Sequence, residues 1–505
     1  MGEHHLARLA EASHERHGEQ GTLLYEGQRS DAGPLWDRVL RAAGGFSALG
    51  IEPGERVVVL MANCPEVGIA YNALWRIGAV ITPVIFLLPP EGIRHVLLDS
   101  EATAVVTTPE FVANVRAAAE GVPTLRHVIV AGDTDDPGAL KYAELEQHDP
   151  APITERADDD LAALMYTGGT TGRSKGVMLT HENLWYCGRS GDAASYIPDL
   201  NRVIVPLPLA HAFGLIVTVI GLHSREPRDT VLMRWFDAAE FLKLLEQERC
   251  QRATLVPAML QLLLQQPLEG HDLSSWATIN VGSAPLPLEV ATALERRVPS
   301  VTIYEGYGLT ESGGIVTTNR PDARRLGTVG TPIDGYEVRV VDDDGNDVPV
   351  GQPGEVIFRS RGAMSGYWRS SDATEQTIVD GWVHSGDIGV LDEDGFLSIV
   401  DRKKDLIIRG GFNVYPRDVE DALVEHPAVA MAGVVGVPDE AKGEEVVAFV
   451  SLVPGAEADG DELVAWAREH IGGYKYPREV HVVDAIPLTP IGKTDRKELR
   501  ARVTS

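Results

Sequence analysis

Short apolar runs alternate with segments of helical periodicity along the first two-thirds of the chain. Residues 56–62 form a Val-rich run typical of a buried strand, and residues 65–77 then repeat apolar side chains at helical spacing. The same patterns predict further strands at 103–107, 127–130, 203–207, 231–233, 253–256, 278–281 and 302–304, and helices at 110–120, 238–248 and 288–298. Buried strands that alternate with amphipathic helices form parallel sheets from βαβ units, so the predicted class is α/β.

The pattern changes after about Gly327. Residues 336–342, 355–360 and 396–401 alternate apolar and polar positions, which predicts an antiparallel sheet or a small β-barrel-like part. A charged break follows at 401–405. Beyond it, residues 419–424, 429–437, 445–453 and 462–470 predict α, β, β and α elements. We therefore expect a large N-terminal domain at 1–400, a hinge at 401–405 and a small α+β C-terminal domain at 406–505.

The most informative motif is Tyr-Thr-Gly-Gly-Thr-Thr-Gly-Arg-Ser-Lys-Gly-Val at 166–177, directly after a predicted strand. Glycines let backbone N–H groups approach a ligand, and hydroxyls with Lys175 complete a cradle for an anion, most plausibly phosphate. The Walker pattern does not fit, because Lys175 is followed by Gly176. The alternative is a flexible polar turn. The candidate phosphate-binding residues are Thr167, Gly168, Gly169, Thr170, Thr171 and Lys175.

A second motif, Tyr-Glu-Gly-Tyr-Gly-Leu-Thr-Glu, covers 304–311. The ring of Tyr307 could stack on a base, and the oxygens of Thr310 and Glu311 suit Mg²⁺ on phosphate oxygens. The segment 280–286 ends a predicted strand in the small residues Gly282, Ser283 and Ala284, which leaves room for a flat ligand. A tight turn explains that segment equally well.

Three further segments carry candidate functional side chains. Asp387 follows a Gly turn, and its carboxylate could accept two ribose hydroxyls. His211 lies between proline-rich and glycine-rich breakers, where ligands are often met, although an isolated His is more often a core or capping residue. Residues 409–416 contain Gly410-Gly411 and are also compatible with a plain hairpin.

Together these strings resemble the adenylate-forming superfamily, which includes acyl-CoA synthetases, 4-coumarate-CoA ligases, beetle luciferases and adenylation domains of peptide synthetases. The likeness extends from about 54 to 496 and includes the C-terminal string Pro-Leu-Thr-Pro-Ile-Gly-Lys-Thr-Asp-Arg at 487–496. The chain departs from the usual family residues at Gly168, Ser174, Ser283 and Ser385.

The resemblance implies roles for individual residues. The implied catalytic residues are Lys493, His211, Glu311 and Thr167. The implied ATP- and AMP-binding residues are those of the phosphate motif together with Gly282, Ser283, Ala284, Glu305, Gly306, Tyr307, Gly308, Thr310, Asp387, Arg402 and Lys493. The implied acyl pocket contains His211, Phe213, Val281, Gly306 and Ile315. Glu311 would bind Mg²⁺, Asp401 would be the hinge, and the loop of Gly410 and Gly411 would enter the site when CoA attacks.

The implied activity is an AMP-forming acid–thiol ligase that uses ATP, Mg²⁺ and CoA. We expect a medium- or long-chain fatty acid as the substrate and an aryl acid as the alternative. Malonate is disfavoured, because no arginine lies near Tyr307 in the sequence. Two other interpretations stay open, an acyl-adenylate enzyme whose acceptor is an amine or a separate carrier protein, and a non-catalytic nucleotide sensor. The charged segment 222–229 stands where relatives carry a small turn, and the sequence offers no explanation for it.

Net charge and the lengths of apolar runs limit which binding partners and which cellular location we expect. The 505-residue chain has a net charge of −29, which argues against binding nucleic acid or an anionic membrane surface. The longest apolar run, 79–88, is too short to span a bilayer, and no secretory signal is evident, so we expect a cytoplasmic protein. Cys64, Cys187 and Cys250 are expected to be buried and unpaired, and His4-His5 to lie in an exposed, disordered tail.

Overall fold

The computed structural model describes residues 2–167, 174–439, 442–471, 473–489 and 494–503. Its N-terminal part contains two large, mainly parallel sheets covered by helices, followed by a smaller antiparallel sheet. A small α+β domain follows at the C-terminus. The predicted fold class, α/β with a small α+β domain at the end, is confirmed.

The two large sheets supply the frame for the rest of the N-terminal part. In spatial order, the nine strands of the first sheet are Thr331–Pro332, Thr317–Thr318, Thr302–Tyr307, Thr278–Val281, Arg252–Leu255, Arg202–Val205, Asp229–Leu232, Thr22–Tyr25 and Gln28–Asp31. The eight strands of the second sheet are Gly366–Tyr367, Lys175–Thr180, Leu161–Thr167, Val80–Pro83, Arg56–Leu60, Ala104–Thr107, His127–Val130 and Leu140–Lys141. The long strands lie in the sheet interiors and are built from Val, Ile, Leu and Ala, as parallel strands buried on both faces require.

Helices cover both sheets and bury the core between the layers. The α-helices of the N-terminal part are Leu6–His17, Ala32–Ala48, Pro65–Arg76, Pro90–Asp99, Val112–Ala119, Tyr142–Leu145, His181–Ser195, Ala212–His223, Ala238–Gln247, Pro257–Leu264, Leu288–Arg297 and Ser371–Thr377. Trp75 is fully buried, and its ring N–H donates to the backbone oxygen of Ala162 at 3.0 Å. This bond ties a covering helix to a central strand while satisfying the polar atom of a large apolar side chain.

The third sheet has the antiparallel character that the sequence predicts after Gly327. Its strands are Glu337–Val341, Gly354–Arg359, Trp382–Leu391 and Ile378–Val379, with Leu397–Arg402 paired to Trp382–Leu391. Asp401 still belongs to this sheet, and the 3-10 helix Lys403–Asp405 leads to the next domain. The domain boundaries at 400 and 405 remain predictions.

The C-terminal domain folds around one five-stranded sheet. Its strands are Phe412–Val414, Ile407–Arg409, Gly443–Leu452, Val429–Asp439 and Glu479–Val482, and its helices are Pro416–Val424, Gly460–His470 and Arg496–Val503. The α, β, β, α elements expected from the sequence are present. Three short strands were not expected, because runs of three or four residues are too short for a clear period. Two of them, Ile407–Arg409 and Phe412–Val414, form the hairpin that the sequence left open at 409–416.

The N-terminal segment does not form the exposed tail that we expected. His5 is 1% exposed and caps the helix Leu6–His17, accepting a hydrogen bond from the Ala7 N–H at 3.1 Å. Its ring stacks on that of His181, with centroids 4.4 Å apart. The sequence-based prediction was therefore wrong here, because the stretch that follows His5 is an amphipathic helix packed on the core. Cys64, Cys187 and Cys250 are buried and unpaired, as predicted.

Candidate active site

A cavity of about 1360 Å³ lies between the carboxyl ends of the central strands and the C-terminal domain. The N-terminal part contributes the ends of Thr278–Val281 and Thr302–Tyr307 and the start of Ala212–His223. The C-terminal domain contributes Arg417, among others. Ligands of open α/β sheets bind at the carboxyl ends of the strands, so this is the position expected for an active site.

The phosphate motif begins and ends on two paired strands. Thr167 ends Leu161–Thr167, Lys175 begins Lys175–Thr180, and the two residues are partners across the antiparallel ladder. Both line the cavity. The predicted ligands Gly168, Gly169, Thr170 and Thr171 lie outside the described residues. The ladder nevertheless places the two described ends of the motif side by side.

Tyr367, which the sequence analysis did not select, joins two predicted phosphate-site residues. Its hydroxyl donates to Oε1 of Glu311 at 2.8 Å, and the ammonium of Lys175 lies 5.0 Å from its ring centroid. Thr310 and Glu311 occupy the 3-10 helix Thr310–Ser312 and line the same cavity. A lone tyrosine beside a glycine carries no sequence signal of such a role.

Glu311 offers a hard oxygen ligand of the kind that Mg²⁺ prefers. Among the described residues, no group of three or more His, Cys, Asp or Glu side chains could hold a metal ion alone. That donor set fits a Mg²⁺ ion carried mainly by phosphates and water, with one protein carboxylate, rather than a protein-enclosed metal centre.

The segment 280–286 turns sharply after Val281. Ser283 has φ of 74°, in the left-handed region that favours glycine. A side chain at Gly282 would put its Cβ 3.2 Å from the backbone oxygen of Gly306, so the segments 280–286 and 304–311 pack closely. Ala284 and Gly308 also line the cavity. The small residues of the two segments therefore serve both backbone packing and the shape of the cavity.

The predicted ribose site is a connected set of side chains. The Tyr307 hydroxyl donates to Oδ2 of Asp387 at 2.7 Å, and Nε of Arg402 lies 3.4 Å from Oδ1. Asp387 and Arg402 are partners across neighbouring antiparallel strands, so the sheet itself brings them together. Burial raises the pKa of the Tyr307 phenol, which keeps it a hydrogen-bond donor to the carboxylate.

The predicted acyl-pocket residues all line the cavity. His211 caps the helix Ala212–His223, and its Nδ1 accepts from the Phe213 N–H at 3.3 Å. Phe213, Val281, Gly306 and Ile315 line the cavity with it. Sequence reasoning missed Arg228 and Arg252, which line the same cavity.

Asp401 links the third sheet to the C-terminal domain. Its Oδ1 accepts from the Arg402 N–H at 2.7 Å, and its Oδ2 accepts from the Arg417 N–H at 2.9 Å. Lys493 lies outside the described residues, but Thr489 and Thr494, which flank it in the sequence, line the cavity. The turn of Gly410 and Gly411 is exposed and outside the cavity lining.

The buried carboxyl of Glu305 gives the fold a pH dependence. Glu305 is 7% exposed, and burial raises its pKa to about 7. The folded state then binds more protons than the unfolded state between about pH 4.5 and pH 7, so stability falls as pH rises through this range. We expect Glu305→Gln to gain about 2–3 kcal/mol relative to the wild type between pH 5 and pH 8, measured by urea unfolding at both pH values.

The control for this titration is Glu393→Gln, at an exposed position. Its difference from the wild type should stay constant across the same pH range. A constant difference for Glu305→Gln as well would show that the buried carboxyl does not titrate as its surroundings imply.

Comparison with known proteins agrees with this fold. The family model "AMP-binding enzyme" matches residues 10–368, and the model of the C-terminal domain of AMP-binding enzymes matches 418–493. The chain therefore belongs to the AMP-binding, adenylate-forming enzyme family, and the predicted enzyme class, an AMP-forming acid–thiol ligase, is confirmed.

Individual relatives cover almost the whole chain. A feruloyl-CoA synthase of Amycolatopsis sp. is 37% identical over 96% of this chain and 95% of its own length. A medium/long-chain fatty-acid–CoA ligase of Mycobacterium tuberculosis is 35% identical over 99% and 90%. The crystal structure of an anthranilate CoA ligase in complex with anthranoyl-AMP superimposes with a TM-score of 0.93 at 25% identity, covering 99% of this chain and 97% of that one.

Among the described residues, no helix is both long enough and apolar enough to cross a membrane.

Proposed function

We propose that this enzyme activates a carboxylic acid with ATP and then transfers the acyl group to CoA. In the first half-reaction the carboxylate oxygen attacks the α-phosphorus of ATP, an acyl-adenylate forms, and pyrophosphate leaves. In the second, the CoA thiol loses its proton and attacks the acyl carbon, the thioester forms, and AMP leaves. The single observation that carries this proposal is one cavity lined by Lys175, Glu311, the Tyr307–Asp387 pair and an apolar acyl region.

The chain's own residues suit a reaction between two anions. A carboxylate and a triphosphate repel each other, so the barrier is lowered by cations and by correct positioning rather than by a nucleophilic side chain. Lys175 would bind phosphate oxygens, Asp387 would accept ribose hydroxyls, and His211 would position the acid. Mg²⁺, held by Glu311 and phosphates, would neutralise charge on the triphosphate when bound.

We further propose that the C-terminal domain changes its orientation between the half-reactions, with Asp401 as the hinge. The segments flanking Lys493 line the cavity, whereas the Gly410-Gly411 turn does not. This arrangement suits adenylate formation, with Lys493 stabilising the α-phosphate. Rotation would withdraw Lys493 and bring the glycine turn to the acyl-adenylate for attack by the thiol.

Two classes of carboxylic acid fit the apolar part of the cavity. Medium- or long-chain fatty acids and aryl acids both fit the apolar residues around Phe213 and Ile315. The similar proteins divide in the same way, since one is named for an aryl acid and another for fatty acids.

The experiment is to measure release of AMP and pyrophosphate across a panel of fatty and aryl acids, each with and without CoA. We expect pyrophosphate release for one acid class and AMP turnover that requires CoA. Pyrophosphate release that CoA does not change would instead indicate an amine or carrier-protein acceptor. A folded enzyme that binds ATP but releases no pyrophosphate with any acid would favour the nucleotide sensor.

A further inference from the structure

The charged segment that the sequence analysis left unexplained borders the acyl cavity. Residues 222–229 end the helix Ala212–His223 and lead into the strand Asp229–Leu232. Within this segment, Arg228 lines the cavity, and Arg252, from the neighbouring part of the sheet, lines it as well. The cavity is thus bordered by two guanidinium groups that have no place in an apolar acyl pocket.

Strand register places Arg252 far along the sheet from the turn at Gly282. Arg252 begins its strand and pairs with Thr278, four residues before Gly282. At about 3.3 Å per residue, its backbone lies roughly 13 Å along the sheet from the Gly282 turn. Side chains alternate along a strand, so Arg252 and Thr254 share a face, and both line the cavity.

The acidic partner of Arg228 lies outside the cavity lining. Asp192 is buried outside the cavity lining, and its two oxygens lie 3.5 Å from the guanidinium groups of Arg225 and Arg228. Glu226 accepts a hydrogen bond from Tyr196. Arg228 and Arg252 line the cavity, whereas the carboxylates of Asp192 and Glu226 do not.

Arg252 has more hydrogen-bond donors than its contacts with the described residues use. It is 8% exposed, and among the described residues its side chain makes one hydrogen bond, from Nη2 to the backbone oxygen of Ser195 at 2.9 Å. A guanidinium carries five N–H donors in a planar fork. Those not used by Ser195 are available to a group in the cavity that accepts hydrogen bonds.

The section of the cavity nearer His211 is apolar, because Phe213, Ile216, Ile220 and Ile315 line it. A plain alkyl tail that crossed it would end against the buried Arg252 and the half-buried Arg228 and remove their water without giving hydrogen bonds in return. Such desolvation is costly. An oxygen acceptor at the far end of the acid would instead satisfy the donors.

We propose that Arg228 and Arg252 bind an oxygen group, anionic or strongly accepting, at the end of the substrate remote from its reacting carboxylate. Two acid classes carry this chemistry, medium-length α,ω-dicarboxylic acids and 4-hydroxyaryl acids. Malonate does not, because its two carboxylates are separated by a single carbon. This inference rests on the proposed function, since it names the acid class for the same cavity.

The test compares acids that differ only at the far end. Pyrophosphate release is measured with decanoic and decanedioic acid and with cinnamic and 4-hydroxycinnamic acid, as kcat/KM for the full-length enzyme. The wild type should prefer the oxygen-bearing member of at least one pair by about 10- to 100-fold. The pair that shows the preference identifies the acid class.

Arg252→Met should abolish this preference and raise kcat/KM for the plain member of the pair. A gain on the plain acid cannot come from misfolding. Arg228→Met should act in the same direction and replaces Arg252→Met if that variant does not fold, because Asp192 keeps Arg225 as its partner. Arg225→Met is the matched control: Arg225 contacts the same carboxylate but is 55% exposed and outside the cavity lining, so the preference should persist.

Equal use of both members of each pair by the wild type, with pyrophosphate release intact, would overturn this inference and leave the proposed function standing. A preference that survives in Arg252→Met and Arg228→Met would also overturn it. If no acid releases pyrophosphate from the folded enzyme, the proposed function itself fails.

Discussion

Lys493→Ala is expected to lower acyl-adenylate formation by about 100- to 1000-fold, the cost of removing one positioned charge donor from a developing anion. The α-phosphate gains charge as the carboxylate attacks, and the ammonium of Lys493 would stabilise that charge. The measurement is pyrophosphate release under single-turnover conditions. Thiolysis of a supplied acyl-adenylate by CoA should change by less than a few-fold, because Lys493 would have left the site by then.

Comparing the two half-reactions distinguishes a specific role of Lys493 in adenylate formation from general damage to the enzyme. Lys442→Ala is the matched control, since Lys442 lies in the same domain, pairs with Glu445 at 3.0 Å and is outside the cavity lining. It should leave both half-reactions unchanged. Equal losses of both half-reactions in Lys493→Ala would contradict the proposed domain rotation.

Asp387→Asn should have the second largest effect, lowering kcat/KM for ATP by about 100-fold. The carboxylate is 6% exposed and is expected to accept two ribose hydroxyls in addition to the Tyr307 hydroxyl. Hydrogen bonds to a charged group contribute about 1.5–3 kcal/mol each, and an amide cannot replace both acceptors. The loss should appear mainly in KM for ATP, with KM for the acid changing little.

Two further variants distinguish the loss of the ribose contact from general damage to the fold. Tyr307→Phe removes one donor to Asp387 but keeps the carboxylate, so its loss should be about tenfold or less. Asp380→Asn, at an exposed turn, should behave as the wild type. An Asp387→Asn enzyme whose KM for ATP is unchanged would remove Asp387 from the nucleotide site.

The sequence predicted the regular elements best where they are long and periodic. The expected strand at 278–281 and helix at 238–248 reappear as Thr278–Val281 and Ala238–Gln247, because buried strands and amphipathic helices impose their own periods on the chain. The N-terminal helix Leu6–His17 was missed, since its polar residues concealed the apolar stripe that packs on the core.

Motif spacing likewise selected residues that line the cavity. Thr167, Lys175, Glu311, Asp387 and Arg402 come from four separate stretches, yet all line one cavity. Their local context, a glycine turn or the end of a buried strand, was visible in the sequence. Tyr367 had no such context, and only the pairing of Gly366–Tyr367 with Lys175–Thr180 brings it to Glu311.

The sequence by itself determined the family, the α/β class and the residues expected to handle ATP, because each of these depends on short strings and local periods. Only the tertiary structure decided what the far end of the acyl cavity contains. Arg228 and Arg252 are separated along the chain, and each could have been a surface arginine. Strand register and the packing of Ala212–His223 bring both to one cavity, beside a buried Asp192. Contacts between distant segments are set by three-dimensional packing, which no local pattern records.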